Sequence, residues 1–453
     1  MSPGSMWRRH LSAAVIFLAG IAALAPGARA ATAAPRPRVI VISLDAFGAG
    51  SLRDPELPAP TLHALMRQGV HAVSMQPINP TITWPNHTSM VTGVDASRHH
   101  VLVNGLIVNQ RRATPPHIDM KAPKSALVAV PTVYDVAHAA GLTTAEVDWV
   151  AIMNAPTIDW RFPENPDPDG TVEQELVREG VVTRDELVHF GRPSQAWRDL
   201  VYTRAAVDII RRHHPDLLLL HLLALDSIEH ETGYGNDSGR NTIAFLDDRV
   251  KEVVDAVRAT GELDRTTFII VSDHGQQSVH HRLNPEVLLR QAGLQGGGTG
   301  QPAFCLPEGG FALVFQAHAT PASRLALKAL FAGKPGIRAA LTPDEAAQRG
   351  WPTPATSNQA PDLLLYAADD YEFSDKDARR YDAPTLQVGA HGYPNSDPLM
   401  QAIFIAAGHG IRRAGEIPAF PDVDIAPTLA RLLHVRLGNV QGKPLTAILE
   451  PGD

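Results

Sequence analysis

The sequence predicts a doubly wound, mostly parallel α/β sheet with helices on both faces and a smaller α+β insertion. Three apolar runs each close on an aspartate: Arg38 to Asp45, Leu217 through Leu225 to Asp226, and Phe268 to Asp273. Within each run apolar residues follow one another without alternation, the pattern of strands buried on both faces. Between the runs lie Thr132 to Ala140, Trp197 to His213 and Asn241 to Thr260, with apolar residues at the three- and four-residue spacing of amphipathic helices. Strand and helix in alternation imply crossover units, and the carboxyl ends of parallel strands form the ligand crevice of such a sheet. The three aspartates are therefore expected on one edge.

In chain order, residues 1–30 stand apart. The basic stretch around Arg8 and Arg9 precedes an almost wholly apolar run from Leu11 to Ala25, and Gly27-Ala28-Arg29-Ala30 follows as a small-residue cleavage site. This is the pattern of a secretory signal peptide, and the apolar run is short for a membrane anchor. Residues 31–282 are expected to form the first part of the main α/β core and residues 388–453 the last. Residues 283–387, with strand-like Phe311 to Phe315, helix-like Ala322 to Phe331 and strand-like Leu363 to Tyr366, read as an α+β insertion or cap. The glycine-rich stretch from Gln295 to Gly300 reads as a loop.

Composition narrows the function. At 44% hydrophobic and 19% charged residues the chain can bury a large core. A single cysteine, Cys305, forms no internal disulfide and cannot serve as a lipid attachment site after the leader, which suits a periplasmic or secreted enzyme with no stable membrane anchor. The net charge of −8 becomes about −11 once residues 1–30, with three arginines and no acid, are removed. An acidic protein gains little from counterion release, so small phosphorylated substrates are expected rather than nucleic-acid polymers.

Three carboxylates at one sheet edge repel each other unless protons or cations neutralise them. Histidines accompany them: His230 after Asp226, His274 directly after Asp273, and the distant His391. Carboxylate and imidazole donors without thiolate suit catalytic zinc. A single Asp-x-x-x-His could equally be a helix-surface pair. After the first strand, the segment Pro80 to Gly93 contains Thr83-Trp84-Pro85, and Pro85 suits a first helical turn, which puts Thr83 beside exposed amides that favour an anion. The same pattern also fits a plain helix cap.

The segment Thr83-Trp84-Pro85-Asn86-His87, with Thr92-Gly93 and Asn104, resembles the nucleotide pyrophosphatase/phosphodiesterase family of the alkaline phosphatase superfamily, whose segment reads Thr-Phe-Pro-Asn-His. Ser43-Leu44-Asp45, Asp226 with His230, Ser272-Asp273-His274-Gly275, His391-Gly392-Tyr393 and the closing Asp424 to Leu429 match in order. The resemblance implies an alkaline-phosphatase-like fold and two zinc ions per chain, one on Asp45, Thr83, Asp273 and His274 and the other on Asp226, His230 and His391. It implies that Thr83 is the nucleophile of a double displacement through a phosphothreonine, and that Asn104 donates to a non-bridging phosphoryl oxygen. The substrate class it implies is a small phosphodiester or nucleotide.

Trp84 in place of phenylalanine, and the loosely matching Val147 to Val150, depart from the family. Trp149 and Trp160 read as core aromatics rather than base platforms. His87, His99, His100, His280 and His281 read as structural or surface residues, and Glu229 and Glu231 as solvent-facing. Rival readings are a phosphomonoesterase or phosphonate hydrolase on the same site, and a binding protein without catalysis. A sulfatase is disfavoured because Cys305-Leu306-Pro307-Glu308-Gly309 lacks the required arginine.

Overall fold

Along the strand Arg38–Leu44 every residue is buried, and successive side chains enter two different cores. Ile40, Ile42 and Leu44 pack with Leu218, Leu220, Phe268 and Ile270 on one face. Val39 and Val41 pack with Leu217, Leu219, Ile269 and Val271 on the other. Both faces are therefore apolar, which is why the run shows no alternation. Burying each of these side chains contributes about 1.5–3 kcal/mol.

The computed structural model describes residues 36–295, 301–376 and 379–451; the segment 1–30 expected to be a signal peptide and the glycine-rich residues 296–300 lie outside them. Arg38–Leu44 sits centrally in an eight-stranded sheet ordered Gly415–Ile417, Val70–Ala72, Phe404–Gly408, Thr266–Val271, Arg38–Leu44, Leu217–Leu222, Thr144–Val147, Trp160–Phe162. From Thr266–Val271 to Trp160–Phe162 all neighbours are parallel, and Phe404–Gly408 runs antiparallel to both of its neighbours. Helices Pro60–Gln68, Gln195–His213 and Asp237–Ala259 cover the first face; Thr83–Thr92, Val133–Ala139 and Ile425–Leu432 cover the second. The fold is the expected mostly parallel α/β sheet between two helical layers.

One expectation fails locally. The strand ends at Leu222, and Asp226 lies in the first turn of a helix, Ala224–Thr232, rather than at a strand end. The cause is tertiary: the buried carboxylate of Asp199, on helix Gln195–His213, accepts the N–H groups of Leu223 at 3.2 Å and Ala224 at 2.7 Å. It acts as an N-terminal cap supplied from another element, a contribution of about 1 kcal/mol.

Two smaller sheets lie between His274 and His391. Gln277–Leu283 pairs with Tyr371–Phe373 and, antiparallel, with Asp382–Ala390. Ala303–Glu308, Phe311–Gln316, Leu363–Ala367 and Ile337–Leu341 form an antiparallel four-stranded sheet. Ala390 lies opposite Gln277, so His391 leaves its strand close to the loop that carries Asp273 and His274. Among the described residues no helix is long and apolar enough to cross a membrane.

Candidate active site

Parallel register brings the first group together. Ser43 pairs with both His221 and Val271, so Asp45 and Asp273 emerge at the same level from neighbouring strands. His274 Nε2 lies 3.4 Å from Asp45 Oδ1 and 3.2 Å from Asp273 Oδ2. Asp273 Oδ1 is tied down by the N–H groups of Ala46 at 3.2 Å and His274 at 3.0 Å. Asp45, Asp273 and His274 are at most 1% exposed, and Asp45 Oδ1, Asp273 Oδ2 and His274 Nε2 have no hydrogen-bond partner. Burial pushes both carboxyls up, helped at Asp45 by repulsion from Asp273 and Asp226 and at Asp273 by repulsion from Asp226, and burial pushes His274 down to about 4. Three unmatched acceptors facing one another fit a cation.

The second group is assembled across the chain. Asp226 and His230 share one face of their helix, with Oδ1 to Nε2 at 3.3 Å. His391 Nε2 lies 3.1 Å from His230 Nε2 and 3.6 Å from Asp226 Oδ1. His230 and His391 turn Nδ1 to the backbone oxygens of Gly389, at 2.9 Å, and Thr81, at 3.2 Å, which aims Nε2 at the carboxylate. Burial opposes charge on His230, but Asp226 beside it wins and raises it to about 9; burial holds His391 down at about 3. Burial likewise works against the Asp226 carboxylate, and the facing histidines outweigh it and hold the carboxyl well below its usual range. The two groups are adjacent, since the rings of His274 and His391 stack at 3.9 Å.

Thr83 is the first residue of its helix; the cap position is Ile82, which offers no side-chain bond, so the plain capping role falls away. Asn86 holds the entry to this helix, with Nδ2 donating to Pro80 O and Ile82 O and Oδ1 accepting from Ile78 N at 2.8 Å. Thr81 Oγ1 donates to Tyr393 O at 2.6 Å, which ties the same loop to the His391 segment. Asn104 Oδ1 accepts from Trp84 N at 3.0 Å, beside Thr83. His87, one turn on, meets Thr83 O at 2.9 Å and lies 3.7 Å from Asp273 Oδ2, linking the Thr83 helix to the first group. Next to Trp84 opens a cavity of about 280 Å³, lined also by Met120, Glu146, Trp149 and Arg161.

Trp149 lies buried with its ring at a near right angle to that of His87, and Trp160 stacks on His213 at 3.5 Å, consistent with core roles. His99 bonds Ser89 Oγ and Val101 N, and His280 and His281 pair with Asp370 and Asp382. Glu229 corrects the solvent-facing expectation: it is 3% exposed and accepts from Gly235 N, because its helix is covered by both Asp237–Ala259 and Asp382–Ala390. A further cluster, Glu175, Asp208 and His213, has metal-like composition. His213 pairs with Glu175 and Arg212 with Asp208, so an ion-pair network accounts for it. The residue that sequence reasoning missed is His221, whose Nε2 lies 3.0 Å from Asp45 Oδ2. Its signal was a lone imidazole inside the run Leu217–Leu222.

The profile of the family described as type I phosphodiesterase / nucleotide pyrophosphatase matches residues 39–394. The chain is 24% identical to human ectonucleotide pyrophosphatase/phosphodiesterase family member 7 over 93% of its own length and 86% of that protein. It is 22% identical to the human family member 5, over 88% and 74%. Among solved structures, murine ectonucleotide pyrophosphatase / phosphodiesterase 5, as an inactive threonine-to-alanine variant in complex with AMP, superposes with a TM-score of 0.71 at 16% identity, over 91% of this chain and 100% of that one.

Proposed function

The chain belongs to the type I phosphodiesterase / nucleotide pyrophosphatase family, and from that premise we propose that it hydrolyses small phosphodiesters or nucleotide pyrophosphates through a phosphorylated Thr83. The observation that carries this reading is the pair of donor groups, Asp45–Asp273–His274 and Asp226–His230–His391, next to the helix that begins at Thr83. Two zinc ions would be held by these residues, with Thr83 joining the first group, and when bound they lower the pKa of the attacking hydroxyl and neutralise charge on the phosphoryl and departing oxygens.

The chain's own residues supply the rest. Thr83 Oγ1 attacks phosphorus in line, a Thr83–phosphorus bond forms, and the bond to the leaving oxygen breaks. Water then attacks the phosphothreonine from the vacated side, releasing the phosphoryl product and restoring the hydroxyl. Asn104 takes the Trp84 N–H and Pro85 has none, which leaves the Thr83 N–H at the helix start to face the phosphoryl anion. Asn104 has its oxygen engaged by Trp84 N, so its NH₂ is the end left to donate to a non-bridging oxygen. The cavity beside Trp84 accommodates the remainder of the substrate.

Arg161, a basic side chain lining this cavity, directs Nη2 to the carbonyls of Ala155 and Ile158, and this engagement away from a dianionic contact favours a diester over a monoester. The inactive threonine variant of the murine relative, bound to AMP, supports both nucleophile and substrate class. We read residues 1–30 as a leader segment, which would direct the chain to the periplasm or outside the cell.

The test is a diester and a monoester with the same leaving group, assayed on wild type and Thr83→Ala with metal content measured in both. Two zincs per chain are expected, with a higher kcat/KM on the diester. The variant should lose roughly three orders of magnitude or more in kcat and keep most of its metal. Full turnover by Thr83→Ala would end the phosphothreonine mechanism.

A further inference from the structure

The geometry points to His221 as a positioning residue that decides which oxygen of Asp45 faces the first donor group. This rests on the reading of Asp45 as a cation ligand and adds a residue to it.

His221 is fully buried in the middle of the strand Leu217–Leu222, where its neighbours are leucines. An imidazole in that place costs desolvation unless both ring nitrogens are matched. Both are. Nδ1 lies 3.1 Å from the backbone oxygen of Asp148, and Nε2 lies 3.0 Å from Asp45 Oδ2. Whichever of the last two atoms carries the proton, the contact holds Oδ2. Oδ1 is then the oxygen without a partner, and it is the one 3.4 Å from His274 Nε2.

The strand register supports the same role. His221 lies opposite Ser43, two residues before Asp45, and Asp45 N donates to Leu222 O at 2.9 Å, so backbone and side chain of Asp45 are held by the same strand. On its far side His221 is anchored by Asp148, which adopts a left-handed backbone (φ 55°) and whose N–H donates to Phe162 O at 2.9 Å. A non-glycine residue in that conformation is uncommon, and here it presents the carbonyl to His221. The ring of His87 packs against His221 at 4.3 Å between centroids. Partners that orient a ligand in this way commonly change metal affinity by about 10–100-fold when removed.

The test uses zinc affinity, measured by competition with a chromophoric chelator on the full chain, for wild type and three substitutions. His221→Leu removes both nitrogens at similar volume, His221→Gln places an amide nitrogen near the Nε2 position, and His221→Asn places one near the Nδ1 position. Expected are a loss of about 10–100-fold for one of two zincs in His221→Leu and His221→Asn, and recovery of most of that loss in His221→Gln. Equal affinity in Gln and Asn variants, both folded by circular dichroism, would overturn the role, because generic packing damage does not distinguish the two amides. Wild-type affinities retained in His221→Leu would overturn it as well. If wild type itself binds no pair of zincs, the proposed function fails rather than this inference alone.

Discussion

The two donor groups differ in enclosure. Asp45, Asp273 and His274 are shut away from solvent, whereas the His230 side chain in the second group is 41% exposed. The first is built from the ends of adjacent parallel strands; the second joins the first and last turns of one short helix to a strand end far along the chain. A sealed group depends on sheet register and cannot be relieved by water, so its unmatched acceptors bind a cation tightly and suffer when it is gone. An open group is expected to exchange a cation more readily and to tolerate hydration, which suits the departing oxygen and entering water of the proposed reaction.

The largest effect expected from this contrast is between Asp273→Ala and His230→Ala. Asp273 also bonds Ala46 N and His274 N, so its loss should lower kcat/KM on a diester by about a thousandfold or more and abolish one zinc. His230→Ala should cost less and regain part of its activity at high zinc, which titration of activity against zinc would show. Equal, unrescued losses would break the comparison.

Chelation should sharpen it next. Zinc release from wild type, followed with a chromophoric chelator, is expected in a fast and a slow phase, the fast one belonging to the open group. The fall in thermal midpoint should accompany the slow phase. At a thousandfold excess over its Kd an ion stabilises the native state by about 4 kcal/mol, so the two phases are separable by calorimetry. A single phase, with stability lost in step, would mean that the groups load as one unit.

A smaller effect comes from a histidine outside both groups. Burial holds His99 at about 3 against an ordinary 6.5. The unfolded chain therefore takes up a proton below about 6.5 that the folded chain refuses, and stability falls as pH drops from there toward 3, by up to about 1.4 kcal/mol per pH unit. His99→Gln should flatten the acid limb of the stability curve by one proton, read from denaturant midpoints at pH 7 and pH 5. The smallest effect is expected at the ion-pair cluster: Glu175→Gln should leave zinc content at two per chain by elemental analysis.

Much of this was legible before folding was considered. Val39 to Leu44 and Phe268 to Val271 announced doubly buried strands, and Asp45, Asp273 and His274 followed directly from where those strands stop. Asp226 was placed one element early because Leu223, Ala224 and Leu225 continue the apolar run. Nothing nearby in the chain marks the stop at Leu222, since the cap that imposes it is Asp199, on a helix that packs back from the sheet. Glu229 was misread for a similar reason, because a helix face becomes buried only when two later elements cover it.

Local sequence by itself determined the strand interiors, the helix that begins beside Thr83 and the residue types able to hold a cation, because periodicity and side-chain chemistry act within a few residues. Tertiary structure alone decided that His391 meets Asp226 and His230, that Asp199 ends a strand it does not belong to, and that His221 grips one oxygen of Asp45. Those outcomes depend on strand order, register and packing between separate elements, and the first and last of them join residues more than a hundred positions apart in the chain.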